Sequence, residues 1–355
     1  MNNDRIQEIL DLMEEARLDY FLISDPQSIA YCTGYYNDPH ERMFVFMISK
    51  HGNHTLFMND LFYLEHDLGV NIVWHKDGQD AIQTIVNEMH FPGRIGIDKN
   101  WASHFLLDLM KKLPDAKYIN ASPCVDLVRM KKDLQEQVLM IESSKINDAV
   151  MEEIIPFIQE GVTEKQLAKK LDELFFNHHS TCYGAIVAFG KNAADPHHEN
   201  DDTPLRKGDC VLIDMGCVYK GYCSDMTRTF FYEGILEEEI KVYEIVKKAN
   251  EAAEAMIKPG VKLSDIDKCA RKVISDEGYG KYFTHRLGHF IGRDVHEYGD
   301  VSSVNEMEVE EGMIFSIEPG IYLEGNFGVR VEDLVMVTKD RCQVLNSFTK
   351  DIYII

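Results

Sequence analysis

The stretch CVLIDMGCVYKGYCSDMTRTFFY, residues 210–232, decides the fold. Two runs rich in β-branched and aromatic residues flank Lys220-Gly221, the pattern of a β-hairpin turning at that dipeptide. With Tyr219 facing Tyr222, the register carries Asp214 opposite Thr227 and leaves Asp225 two positions away on the partner strand. An even offset keeps both aspartates on one face, as diagonal neighbours about 7–8 Å apart at the backbone. Two acids on a hairpin are more often solvated than functional, because Asp is mostly exposed. Asp214, however, sits inside the apolar run VLIDMG, where an unpaired carboxylate is costly. A cation is the simplest compensation, and two carboxylates on one face can converge on metal ions between them.

Three segments downstream extend this chemistry. HRLGHFIGRDVHE, residues 285–297, offers His285, His289 and His296 within Gly-rich irregular chain. A lone histidine there is more often a hydrogen-bonded structural residue, but imidazole is also the commonest metal ligand, and three together favour that role. GMIFSIEPGIY, residues 312–322, reads as a strand ending at Glu318, just before Pro319-Gly320. FGVRVEDLVMV, residues 327–337, reads as a strand with Arg330 and Glu332 on one face and Val329 and Val331 on the other. On its own Glu332 reads as an outward-facing side chain. Taken together, four carboxylates and one imidazole suit a pair of hard or borderline divalent ions, such as manganese, cobalt or zinc. Such pairs sit about 3.5–4 Å apart, activating a water and polarising the scissile group. Other familiar signals are missing: no GxGxxG follows a strand, and there is no GxxxxGK[ST], HExxH or GxSxG.

Upstream, helical spacing at Ile6, Ile9, Leu10 and Met13 is followed by YFLIS, MFVFMIS and HTLFM, and then by WHKDGQDAIQTIVNEM and RIGIDKN. That alternation predicts a compact α/β domain closing near Ser122-Pro123, with a short linker at residues 121–132. From Asp133 long helices begin, and Thr163 with Gln166 forms a capping box opening TEKQLAKKLDELFF. Helices set apart from runs of mostly antiparallel strands predict an α+β second domain. The expected organisation is therefore 1–123 and 124–355.

Length and composition agree with that division. At 355 residues and 40.8 kDa the chain suits two domains at about 150 residues each. The net charge of −23 repels polyanions, so no nucleic-acid partner is expected. No apolar run approaches the ~20 residues of a membrane helix, so no membrane partner is expected either. The acidic, amphipathic start lacks a basic n-region and an apolar h-region, and the eight cysteines form no CxxC pair. Free thiols in a cytoplasmic protein are the expectation.

The order Asp214, Asp225, His289, Glu318, Glu332, with the flanks YKGYCSDMTRTF, HRLGHFIG, VHE, SIEPGIY and GVRVED, resembles the pita-bread metallopeptidases: methionine aminopeptidase, aminopeptidase P and Xaa-Pro dipeptidase (prolidase). The preceding domain, with TGYYNDPHER at residues 33–42, resembles the creatinase-type N-terminal domain. The resemblance implies two divalent ions. By that resemblance Asp214 would chelate one of them, Asp225 and Glu332 would bridge both, and His289 and Glu318 would complete the other. The resemblance further implies a metal-bridging hydroxide that would attack the scissile carbonyl, with Glu318 as the residue that would relay the water proton. His197, in KNAADPHHEN, and His296 match the two substrate-side histidines, while Arg330 is placed to keep Glu332 ionised and to meet a substrate carboxylate. The length is closest to the dipeptidases, which implies hydrolysis of Xaa-Pro dipeptides, substrates that ordinary peptidases reject because proline lacks an N–H and restricts its neighbour. The relatives also imply a homodimer in which the TGYYNDPHER loop, with Asp38, His40, Glu41 and Arg42, approaches the neighbouring subunit's site. Four rivals stand beside this reading: an aminopeptidase P-like enzyme acting on longer peptides, a metal-independent creatinase, a non-catalytic peptide-binding relative, and, from the ligands alone, a dimetal phosphoesterase. One departure is Phe290, giving GHFIG where the family commonly has GHGIG; it is expected to be strained or to narrow the pocket.

Overall fold

A computed structural model describes residues 1–90 and 92–355. The chain divides into two compact units, Met1–Arg129 and Met130–Ile355.

The first unit contains α1 (Asn3–Glu15), β1 (Tyr20–Ile23), α2 (Pro26–Thr33), β2 (Val45–Ser49), β3 (Thr55–Asn59), β4 (Asn71–His75), α3 (Ala81–Glu88), β5 (Arg94–Ile97), α4 (Ser103–Lys112), β6 (Lys117–Asn120) and α5 (Pro123–Met130). Its mixed sheet, among the described residues, runs β4-β3-β2-β1-β5-β6. Strand β1 is buried on both faces, so its alternation divides two cores. Phe21 and Ile23 pack with Ile6, Ile9 and Met13 of α1 and with α2, while Tyr20 and Leu22 pack with Ile82 and Ile85 of α3 and Leu109 of α4. The segment expected as a linker is largely α5, because Cys124, Val125 and Val128 supply a third helix to the first of these cores.

The second unit continues with α6 (Leu134–Ile154), α7 (Glu164–Asn177), β7 (Thr181–Cys182), β8 (Ile186–Phe189), β9 (Cys210–Met215), β10 (Cys217–Tyr219), β11 (Tyr222–Cys223), β12 (Met226–Phe231), α8 (Glu237–Met256), α9 (Leu263–Asp276), β13 (Gly288–His289), β14 (Asp300–Val301), β15 (Ile314–Ile317), β16 (Gly320–Leu323), β17 (Phe327–Arg330), β18 (Asp333–Val337) and β19 (Cys342–Val344). Every ladder between these strands is antiparallel. Capping boxes open α6 at Asp133 and Glu136 and α7 at Thr163 and Gln166. Beneath β8, β9 and β12 lies a core of Val150, Met151, Leu167, Leu171, Phe175, Val187, Ile213 and Phe230. The architecture is a creatinase-like α/β domain followed by an α+β pita-bread domain. No helix among the described residues is long and apolar enough to cross a membrane.

Candidate metal centre

The hairpin keeps the register read from the sequence, with Tyr219 opposite Tyr222 and Asp214 opposite Thr227. It is not one continuous ladder, however. Strand β9 pairs with β12 on one side and β8 on the other, whereas β10 and β11 belong with β7. The ladder breaks at Gly216 and Ser224, where Tyr183 intrudes: a Cβ on Gly216 would lie 1.9 Å from the Tyr183 hydroxyl and 2.0 Å from the Ser224 carbonyl. Asp225 therefore leaves the strand at the break, next to Asp214 at the end of β9.

The remaining ligand candidates come from other strands: His289 from β13, Glu318 from the end of β15, and Glu332 from the junction of β17 and β18. The expected strand 327–337 is interrupted at Val331 and Glu332, because the Glu332 N–H turns to the Thr227 carbonyl at 3.1 Å. That turn folds Glu332 inward, to 2% exposure, instead of leaving it on an outer face. Ligand atoms of Asp225, His289 and Glu332 lie within 4.8 Å of one another, all three residues buried. His289 Nε2 is 3.5 Å from Asp225 Oδ2 and 3.6 Å from Glu318 Oε1. Its Nδ1 faces the Phe290 carbonyl at 3.2 Å. A proton there leaves the Nε2 lone pair toward the carboxylates, the orientation a metal ligand needs. Asp214 and Glu318 are half-buried and line the more open side.

Arg330 ties the acids together. Nη2 donates to Asp214 Oδ2 at 2.6 Å, Nε to Thr227 Oγ1 at 3.1 Å, and Nη1 to the Tyr322 hydroxyl at 3.0 Å. The Thr227 hydroxyl donates in turn to Glu332 Oε2 at 2.6 Å, and the Tyr322 hydroxyl meets His285 Nε2 at 2.8 Å. Only 2% exposed, with all three guanidinium nitrogens engaged, Arg330 faces the ligand set and spends four of its five N–H groups on protein partners. Arg286 is exposed, and its positive charge helps depress His296. Thr227 and Tyr322 were not singled out from the sequence. The signal for Thr227 was its place opposite Asp214.

Electrostatics follow from four acids facing one guanidinium. Burial, and then Asp225 and Glu318, push the Glu332 carboxyl well above the ordinary range. Burial lifts Glu318 to about 7 against the pull of His289 and Arg330. Asp214 is raised by burial although Arg330 opposes it. Burial would lower His289, but the Asp225 hydrogen bond and the Glu318 charge outweigh it and raise the imidazole. An excess of buried carboxylate with raised proton affinity fits divalent cations, which supply the missing positive charge.

His296 stands edge-on to His289, ring centroids 4.2 Å apart. His197 is exposed in the loop before β9 and contributes to the depression of His285 and His296, which places it in the same electrostatic environment. Phe290 corrects an expectation. It is fully buried against Phe315, centroids 5.3 Å apart, and its φ is not among the positive ones, so it neither strains the backbone nor narrows a pocket. A second group, Glu164, His198 and Asp201, also has metal-like spacing. Both Glu164 oxygens are already bonded, however, to the Phe189 and Asp201 N–H groups, Asn192 Nδ2 and His198 Nε2, so it serves as a structural acceptor.

Comparison with known proteins agrees with this geometry. Residues 138–339 match the model of metallopeptidase family M24, and residues 5–131 match the creatinase/prolidase N-terminal domain. An uncharacterised peptidase of Staphylococcus aureus is 34% identical over 355 residues, covering 98% of this chain and 99% of that one. A prolidase from Thermococcus sibiricus superposes with a TM-score of 0.94 at 31% identity, covering 100% of both chains. A dipeptidase from Pyrococcus horikoshii gives 0.92 at 35% identity, covering 99% of this chain and 100% of that one. The chain belongs to metallopeptidase family M24 and carries a creatinase/prolidase-type N-terminal domain.

Proposed function

We propose that the protein hydrolyses Xaa-Pro dipeptides with two divalent ions held by Asp214, Asp225, His289, Glu318 and Glu332. The observation that carries this reading is the convergence of Asp225, His289 and Glu332 ligand atoms within 4.8 Å in buried surroundings, with Asp214 and Glu318 on the open side. The ions, when bound, supply water activation and polarisation of the scissile carbonyl. The chain's own residues do the rest. Glu318, lifted to about 7, is suited to take a proton from the attacking water and pass it to the leaving proline nitrogen. His197 and His296 orient the peptide and donate to the carbonyl oxygen as charge develops there. His296 is held down to about 4, by burial first and then by the His289 charge, so it acts as a neutral donor at neutral pH.

Arg330 holds Asp214 in place, and the substrate carboxylate is assigned to Arg286 instead. Recognition by an exposed arginine is weaker than by a buried one, which gives the aminopeptidase P-like reading, cleavage of longer Xaa-Pro peptides, a specific foothold. Metal-titrated assays on a matched Xaa-Pro dipeptide and Xaa-Pro-Yaa tripeptide decide between them, with anomalous scattering to count ions. Two ions per chain and a higher kcat/KM on the dipeptide support the proposal. Equal or better use of the tripeptide moves the activity to the longer substrates. The proposal places the protein in the cytoplasm as a homodimer, which sedimentation tests; monomer alone at working concentration removes the dimer.

A further inference from the structure

We infer that the buried ion pair between Lys132 and Glu297 is a positioning device for His296, and so sets the transition-state contact that this histidine makes. The inference rests on the substrate-side role of His296 proposed above. His289 and His296 bound one loop, and that loop is pinned at several points. Phe290 anchors its start in the core, with its ring occupying the space a Cβ on Gly299 would need, at 2.7 Å. The Glu297 N–H closes the loop on the Phe290 carbonyl at 2.8 Å. The Cys223 N–H, two residues before Asp225, donates to the Gly292 carbonyl at 2.7 Å.

The carboxylate of Glu297 is what holds the interior. Its Oε1 accepts from the Arg293 N–H at 2.9 Å, and its Oε2 meets Lys132 Nζ at 2.9 Å. The two side chains are 5% and 1% exposed, so water does not screen the pair. The carboxylate also fills the space beside Gly292, where a Cβ would come within 2.7–2.8 Å of its atoms. Lys132 is itself fixed: its N–H donates to the Gly312 carbonyl at 2.8 Å, and its own carbonyl accepts from Gln137 Nε2 at 2.8 Å. A rigid cation therefore reaches a carboxylate one residue from His296, while the His296 ring lies toward the surface and meets His289 edge-on. An exposed side chain over a metal centre keeps its place only if its backbone does. Displacement of about 1 Å is enough to cost a catalytic contact about 10²-fold.

The test is a set of double-mutant cycles on the metal-loaded protein. Removing one charge alone leaves the other buried without its opposite charge across this pair, a change that can unfold the domain. The pair is therefore neutralised together, as Lys132→Met with Glu297→Gln, where the new side-chain amide oxygen still accepts from the Arg293 N–H. Gly292→Ala is a second, milder probe that pushes the carboxylate aside without changing charge. Each is measured in the parent and in His296→Ala, with metal content and circular dichroism alongside. The expected result is a fall in kcat of about 10-fold in the parent, with KM and metal content little changed, and no further fall in His296→Ala. An equal fall in both backgrounds, loss of metal, or unchanged kcat in the parent overturns the inference. If His296→Ala alone keeps full turnover, it is the role given to His296 that fails, a result distinct from the others.

Discussion

Asp225 and Glu332 show how little a local pattern says until its partners are placed. Each is buried, and among the described residues no lysine or arginine pairs with either directly; what faces them is His289, Thr227 and each other. Asp225→Asn and Glu332→Gln keep shape and hydrogen bonds but remove the charge that divalent ions require. Each is expected to abolish turnover and to weaken metal binding while leaving thermal stability of the metal-free protein equal or higher, since a neutral amide carries none of the desolvation cost of an ionised buried carboxylate. Calorimetric metal titration and residual activity check this, and substantial turnover in either variant contradicts a bridging role. Phe290 gives the opposite lesson. Its position beside His289 suggested a pocket residue, yet the side chain packs in the core against Phe315, because just past β13 the chain at Phe290 bridges to Phe315 of β15. Phe290→Ala should therefore cost about 3–5 kcal/mol in unfolding free energy, as for other buried aromatics. Its ratio of dipeptide to tripeptide kcat/KM should match the parent once metal is saturated. A change in that ratio without loss of stability returns Phe290 to the pocket.

Among the elements, the hairpin carries the site, and its break matters more than its turn. The Lys220-Gly221 turn and the pairing of Asp214 with Thr227 were legible because side-chain alternation fixes register across a tight turn. The break was not, since it depends on Tyr183 from a distant segment filling the space above Gly216. The split of 327–337 at Val331 and Glu332 escaped for the same reason: Thr227 and Asn250 reach those backbone groups from other strands and helices, and local spacing does not encode them. The capping box at Thr163 and Gln166 was legible because both partners lie within one turn. The bond from Arg330 to Asp214 was not legible either, because that carboxylate comes from β9, more than a hundred residues away in the chain. Gly216→Ala tests the break. The added methyl meets a backbone carbonyl, which cannot swing away as a side chain can, so β9 or β11 must shift and the spacing of Asp214 and Asp225 with it. Metal affinity should fall by at least 10-fold, together with a lowered melting temperature. Parent-like metal binding would show that the break does not set the ligand spacing.

At the scale of the whole molecule, the −23 charge and the carboxylate-rich centre make stability depend on pH in a direction that metal reverses. Glu318 titrates near 7 in the folded protein and at about 4.3 when unfolded. Between those values the folded state holds a proton that the unfolded state has released, so the favourable contribution of that proton is complete at low pH and lost as pH rises toward 7. Glu332 behaves the same way over a higher range, raised by burial and then by Asp225 and Glu318. His289, raised because Asp225 and Glu318 outweigh burial, also loses its contribution as pH climbs past its folded value. His285, His296 and His54 run the other way: burial first holds each of them down, His285 and His296 to about 4, so they add stability as pH rises to about 6.5 and only a little beyond. Above about pH 7.5 the histidine contributions are complete and only the raised groups still act, all with one sign; between about 6.5 and 7.5 the small remainder from the histidines opposes them. The metal-free protein should therefore melt at a lower temperature at pH 8.5 than at pH 6.5. Divalent ions need ionised ligands, so their binding releases protons and strengthens with pH. Added manganese should then raise the melting temperature more at pH 8.5 than at 6.5, by an amount that grows with its concentration. Differential scanning calorimetry of chelator-stripped and manganese-loaded samples at both pH values makes the comparison. A metal-free melting temperature that is flat or rises over that interval, or a manganese shift that shrinks with pH, would mean that these carboxylates are not the groups the metal discharges.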